Sequence, residues 1–268
     1  MALTFTILGC GSSGGVPRID GNWGACDPEN PRNRRRRCSA LIEQTARAGS
    51  TRLLIDTAPD MREQLIAAKA PTIDAVLYTH DHADHAHGID DLRAYALNTQ
   101  AKVPVYGDAA TMALITEKFR YCFVPSPTGS YPAILKAHEI EPLQPLTLGG
   151  KGGLVTVTPY QQKHGEGTSL GYRIGGLAYS PDVSGIPEDS LPMLQGLDVW
   201  IVDALRPMPH PGHFTVKQAL DWIERLKPKR AILTHLHVDL DYDKLKRKLP
   251  ANVEPAYDGM VIEVTQVD

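Results

Sequence analysis

Short apolar runs bounded by turn residues recur along the 268-residue chain. Leu3–Leu8, Ser39–Glu43, Arg52–Asp56, Ala75–Thr79, Val103–Tyr106, Leu154–Thr158, Ser169–Ile174, Gly176–Ser180, Val199–Asp203, Ala231–Thr234 and Met260–Val264 read as strands. Several have the unbroken hydrophobicity of a sheet buried on both faces. Helical segments fall between some of them: Met61–Ala68, Ile89–Leu97, Ala109–Phe119, Pro187–Leu194, Thr215–Leu226 and Tyr242–Lys248. In Thr215–Leu226 the residues Val216, Ala219, Leu220, Ile223 and Leu226 share one helical face, and Thr215 is placed to cap its start. Strand clusters interspersed with helices predict a layered α/β sandwich with helices outside the sheets. No low-complexity tract, solenoid repeat or long linker interrupts it, so residues 1–268 read as one domain. The proline-rich stretch Tyr121–Pro145 reads as a surface excursion.

The first strand runs into TILGCGSSG, where Gly9, Gly11 and Gly14 spell a G-x-G-x-x-G dinucleotide fingerprint. That fingerprint must open a helix and be followed by an acidic residue about 20 positions on. Here it leads into Val16-Pro17 and an aperiodic, arginine-rich segment, which sets the dinucleotide reading aside. The glycines are then expected to serve a tight backbone turn, with amide N–H groups or the Ser12 and Ser13 hydroxyls free for a phosphate.

Composition adds limits. The formal charge of −3, with 42% hydrophobic and 22% charged residues, provides no global positive field for nucleic acid or an anionic membrane. Cys10, Cys26, Cys38 and Cys122 are widely spaced without a C-x-x-C pair, as expected of reduced thiols in a cytoplasmic protein. Neither a signal peptide nor a membrane span is expected.

The stretch AVLYTHDHADHAHG concentrates the chemistry. Three histidines and two aspartates, His80, Asp81, His82, Asp84 and His85, occupy six residues behind a buried strand. Alternate residues of an extended segment face one side, so His80 and His82 are placed to close on one metal ion, and Asp84 and His85 to face a second. Burying so many polar groups together is costly unless a cation compensates them.

T-H-D-H-A-D-H resembles the H-x-H-x-D-H signature of the metallo-β-lactamase fold. The resemblance implies two mixed β-sheets flanked by helices, an αββα sandwich. It also implies further ligands in chain order, matched by His164, Asp182 and His235. By this resemblance His80, His82 and His164 hold one divalent ion, Asp84, His85 and His235 hold the other, and Asp182 bridges them. Nitrogen and carboxylate donors suit zinc or manganese, and also iron. Asp56, ending an early strand, resembles an aspartate that orients metal-binding groups from behind, although the family usually has glycine two residues later and here Pro59 comes three later.

The glycine turn and the arginine-rich segment are similar to the phosphodiesterase branch of this family, which includes the phosphoribosyl cyclic phosphodiesterases and, more distantly, the tRNA 3'-processing endonucleases. The branch carries a further histidine before the last ligand, matched by His213, implying that it protonates the leaving oxygen while a metal-activated hydroxide attacks phosphorus. His210 is the rival for that role. Phe214 replaces the glutamate of the RNA-processing branch and no basic insertion is visible, so a small phosphorylated substrate is expected, a ribose cyclic phosphate or a nucleotide, rather than nucleic acid. Cys26 stands without a cysteine cluster around it, so no structural zinc is expected. Arg34–Arg37 are weighed as a phosphate clamp against an ordinary solvated loop, and Trp23 and Tyr95 as stacking surfaces against core packing. The resemblance also suggests a homodimer.

Overall fold

The computed structural model describes residues 2–265. Fourteen strands among them form two seven-stranded sheets. The first sheet contains β1 (Ala2–Gly9), β2 (Ser39–Ala46), β3 (Gly49–Ile55), β4 (Ala75–Leu77), β5 (Val103–Gly107) and β6 (Leu135–Glu139). The second contains β7 (Leu146–Gly150), β8 (Gly153–His164), β9 (Gly167–Ile174), β10 (Leu177–Ser180), β11 (Val199–Asp203), β12 (Arg230–Thr234) and β13 (Val253–Pro255). The last strand, β14 (Met260–Glu263), returns to pair with β1 at the edge of the first sheet.

The two sheets repeat one scheme. From β14 through β1, β2 and β3 the pairings are antiparallel, and from β3 through β4, β5 and β6 they are parallel. From β7 through β8, β9 and β10 they are again antiparallel, and from β10 through β11, β12 and β13 parallel. Of the parallel strands, β4, β11 and β12 lie in the interior and read as continuous apolar runs, since both faces are covered, whereas β6 and β13 form sheet edges.

One core lies between the sheets, where Phe5, Ile42, Leu53 and Leu77 meet Tyr172, Tyr179, Ile201 and Ile232. A second covers the outer face of the first sheet with helices α1 (Met61–Ala67), α2 (Ala83–Ala86), α3 (Arg93–Thr99), α4 (Ala109–Lys118) and α5 (Arg120–Phe123). A third covers the other sheet with α6 (Val216–Leu226) and α7 (Tyr242–Lys246). The result is the expected αββα sandwich. The sheets are tied to each other beside β4: Tyr172 Oη donates to the Tyr78 carbonyl at 2.7 Å, and Leu170 N donates to the Thr79 carbonyl at 2.8 Å.

Some boundaries differ from those read in the sequence. The predicted surface excursion Tyr121–Pro145 contains α5 and β6, because Leu135 buries against α4 and α5 while Lys136 and Glu139 stay outside. The helix expected over Ile89–Leu97 is a 3-10 turn at Ile89–Leu92 followed by α3. Pro187–Leu194 is 3-10 over Glu188–Leu194, as Pro192 inside it requires. The short strand at Leu154–Thr158 runs on to His164.

Candidate metal centre and cleft

The polar cluster collects at one rim, at the carboxyl ends of those strands of both sheets that run in the same direction. Asp56 follows β3, His80 follows β4, His164 ends β8, Asp182 follows β10, Asp203 ends β11 and His235 follows β12. Behind His80 the chain stays extended as far as His82 (φ −63°, ψ 152°), and α2 then turns Asp84 and His85 onto the other side. Asp56 (φ +61°) and His235 (φ +56°) both occupy the left-handed region, an uncommon conformation for residues other than glycine that concentrates at functional sites.

Ligand-capable atoms of His80, His82 and His164 lie within 4.8 Å of one another, and so do those of Asp84, His85, Asp182 and His235. Asp182 stands between the two groups. Its Oδ1 is 3.1 Å from His85 Nε2, and its Oδ2 is 3.6 Å from His235 Nε2, 3.7 Å from His164 Nε2 and 3.8 Å from His80 Nε2. The structure thus brings all seven predicted ligand residues together.

The partners behind the ring explain the orientation of the imidazoles. His85 Nδ1 meets Asp56 Oδ2 at 2.7 Å, and Asp56 is held in turn by the Thr79 amide and hydroxyl, each at 2.8 Å. The same Thr79 hydroxyl reaches His80 Nδ1 at 2.9 Å. His164 Nδ1 donates to the Gly212 carbonyl at 2.7 Å. With Nδ1 engaged, each of these three rings turns Nε2 toward the centre. The Nε2 atoms of His80, His85 and His235 and the Oδ1 of Asp182 are buried without hydrogen-bond partners. Burial without partners is expensive, and divalent cations are the group that would satisfy this donor set.

The shifts are uneven: against its burial, Asp182, Asp84 and Asp56 hold His85 well above the usual imidazole range. Burial pushes His80 well below the usual imidazole range, so its lone pair is free, although Asp182 pulls the other way. Against burial, which opposes charge, the imidazoles of His235 and His85 hold Asp182 well below the usual carboxylate range. Asp84 is likewise lowered against its burial, with His85 the main cause. Buried carboxylates among imidazoles leave an excess of negative charge for cations to offset.

The cleft above the ring has a volume of about 600 Å3. Its rim carries His213, Ser13 and the β8–β9 turn Gly165–Gly167. His213 Nδ1 is 2.7 Å from Asp203 Oδ2, and its ring stacks on that of His235 at 4.4 Å. Burial draws His213 below the usual imidazole range, while Asp182 and Asp84 act to raise it. Burial pushes the Asp203 carboxyl up from its usual range. His210 lies further out, its ring 5.0 Å from that of His213, and its Nδ1 accepts the Gly212 amide at 3.2 Å.

Other sequence candidates lie elsewhere. The arginines do not form a clamp. Arg35 is buried against Asn33, Cys26 Sγ and the His237 carbonyl, Arg36 pairs with Asp258 at 3.0 Å and Arg37 with Asp60 at 2.8 Å. Trp23 packs on Val16, Cys26 and Val238, and Tyr95 donates to the Ala70 carbonyl, so neither faces the cleft. The glycine turn belongs to packing at Gly9 and Gly11, where a Cβ would come within 2.0 Å of the Arg37 carbonyl and 2.9 Å of the Arg35 carbonyl. Ser13 alone of the two serines lines the cleft. Asp203 was not picked out in the sequence, although VWIVD repeats the pattern of LLID at Asp56, an apolar strand ending in aspartate.

This fold and this ring of histidines and aspartates define the class, a metallo-β-lactamase-fold hydrolase with a site for divalent metal. The family described as the beta-lactamase superfamily domain matches residues 51–236, and the chain belongs to it. A solved structure, a new diphosphatase from the PhnP family, is 36% identical, covers 98% of each chain and superposes with a TM-score of 0.87. The short form of human tRNase Z shares the fold at 18% identity, over 98% of this chain and 99% of that one, with a TM-score of 0.62. An octanoyltransferase of Porphyromonas gingivalis is 33% identical over 257 residues, 95% of this chain and 50% of that protein. The chain therefore spans about half the length of that curated relative, and the activity in its name belongs to that longer protein.

Proposed function

We propose that the protein is a metal-dependent phosphodiesterase that hydrolyses a small phosphodiester, a cyclic phosphate of ribose or of a nucleotide. The observation that carries this reading is the Asp203–His213 pair, set in the same cleft as the ring of unpartnered imidazole nitrogens. His80, His82 and His164 would hold one divalent cation, zinc or manganese, and Asp84, His85 and His235 the other, with Asp182 between them. Such cations supply a nucleophilic water at neutral pH and offset the negative charge that develops on phosphorus oxygens.

The chain's own groups do the rest. Asp203 fixes the ring of His213 through Nδ1, which leaves Nε2 to hand a proton to the departing sugar oxygen, a poor leaving group if unprotonated. Asp56 and Thr79 hold His85 and His80 from behind. A small substrate is supported by the walls of the cleft, which include no lysine or arginine among the described residues, whereas an RNA backbone would call for several. The four cysteines are buried and free, and no described helix is long and apolar enough to cross a membrane, in keeping with a cytoplasmic enzyme.

A turnover assay of zinc- or manganese-loaded protein tests the reading. The panel holds ribose cyclic phosphate, 2',3'-cyclic nucleotides, a nucleoside diphosphate, a tRNA precursor and a lactone. Turnover of the cyclic phosphates is expected, and turnover of the lactone alone would overturn the proposal. His213→Ala and Asp203→Asn are each expected to lose about 100-fold or more on an alkoxide leaving group and far less on p-nitrophenolate, which departs unaided. The diphosphatase relative gives the second reading, cleavage of a diphosphate bond, which faster turnover of the nucleoside diphosphate would favour.

A further inference from the structure

His164 and Gly167 pair across the end of the β8–β9 hairpin, so Gly165 and Glu166 form its two-residue turn. Gly165 supplies the left-handed residue such a turn needs (φ +61°), and its amide donates to Ser184 Oγ at 3.2 Å. The turn is thereby fixed on the rim, two residues from a ring histidine, and Glu166 lines the cleft.

The charges around it are unequal. Apart from the ring aspartates and the histidines, the charged residues lining the cleft are Asp81 and Glu166. Asp81 is neutralised by Lys118, which pairs with its carboxylate and also donates to its backbone carbonyl at 3.0 Å. Of the nearby cations, neither Lys163 nor Arg206 is among the residues lining the cleft. Arg206 donates to the carbonyls of Met208 and Pro209, at 3.4 Å and 3.3 Å, and the Lys163 stem lies along Gly185. Glu166 has no ion pair among the described residues. The other distal groups, the Ser13 and Thr168 hydroxyls and the His210 ring, are neutral hydrogen-bonding partners.

We propose that Glu166 is a specificity-determining residue that accepts hydroxyl groups from the distal half of the substrate and repels a second, terminal phosphate there. This rests on the phosphodiesterase reading and narrows its substrate class to a phosphodiester whose far side is a neutral, hydroxyl-bearing sugar. A phosphate monoester carries nearly two charges, so its approach to a carboxylate on a rim whose described lining includes no lysine or arginine is unfavourable at low salt. The carboxylate takes hydroxyl donors with charge-assisted bonds instead.

The test is binding to the manganese-loaded protein by calorimetry, using adenosine 3'-monophosphate and adenosine 3',5'-bisphosphate at low and high salt. The wild type should favour the monophosphate. Glu166→Gln should shrink that preference by roughly three- to tenfold, the size of one charge interaction across several Å of wet cleft, and Glu166→Lys should invert it. Glu166→Asp should preserve it. The preference of the wild type should weaken as salt rises, whereas that of Glu166→Gln should not. An unchanged ratio in Glu166→Gln would overturn the role of Glu166 while cyclic phosphate turnover still stood. Failure of the wild type to bind either ligand would overturn both.

Discussion

Asp56 shows how much of this site depends on residues that do not face its centre. It is fully buried, takes a left-handed conformation, and gathers the Thr79 amide, the Thr79 hydroxyl and His85 Nδ1 on one carboxylate. Replacing it with asparagine keeps the shape but removes the charge that orients His85. Asp56→Asn is therefore expected to weaken metal binding by about 10- to 100-fold, measured by competition with a chelating dye. The ring itself was legible because five chemically active residues crowd into six positions after β4. Asp203 was not, because a lone aspartate at the end of VWIVD has no neighbour in sequence to distinguish it from a strand-end turn. Only the fold brings His213 to it, from ten positions further on.

At the scale of elements, α6 is the clearest case in which sequence and structure coincide. Thr215 Oγ1 accepts the Gln218 amide at 3.1 Å, while Gln218 Oε1 accepts the Thr215 amide at 2.9 Å, a reciprocal capping box. The cap lies two residues after His213, so the start of the helix and this histidine are anchored together. Thr215→Ala should cost about 1 kcal/mol of stability, read as a lower urea midpoint with an unchanged slope. The strands that escaped sequence reading, β6, β7 and β13, all lie at or next to sheet edges. LKAHE, LTLGG and VEP mix charge, glycine and proline because an edge has one unpaired side. The interior strands, covered on both faces, announced themselves as apolar runs.

For the whole molecule, the candidate ligands come from both sheets, so they meet only where the sheets are held in register. Tyr172 does much of that holding, crossing from β9 to the Tyr78 carbonyl two residues before His80. Tyr172→Phe leaves that buried carbonyl without the hydroxyl donor and should cost about 1–3 kcal/mol in thermal or urea unfolding. Metal binding should also weaken in this variant, since one half of the ring is displaced relative to the other. The αββα plan was legible from the alternation of strands and helices together with the motif. The matching pairing scheme of the two sheets was not, because the opening strand of the first sheet's scheme is β14, supplied from the far end of the sequence.

That borrowed strand has a mechanical consequence. β1 runs toward the rim of the cleft and β14 runs away from it, with Thr4 opposite Glu263. The two ends of the described chain therefore emerge side by side on the face opposite the cleft. Anything covalently joined at either end is tethered behind the enzyme rather than across its mouth. The same geometry lets a short linker close the chain into a circle, with new ends opened in a surface loop, without disturbing the order of strands around the ring of histidines and aspartates.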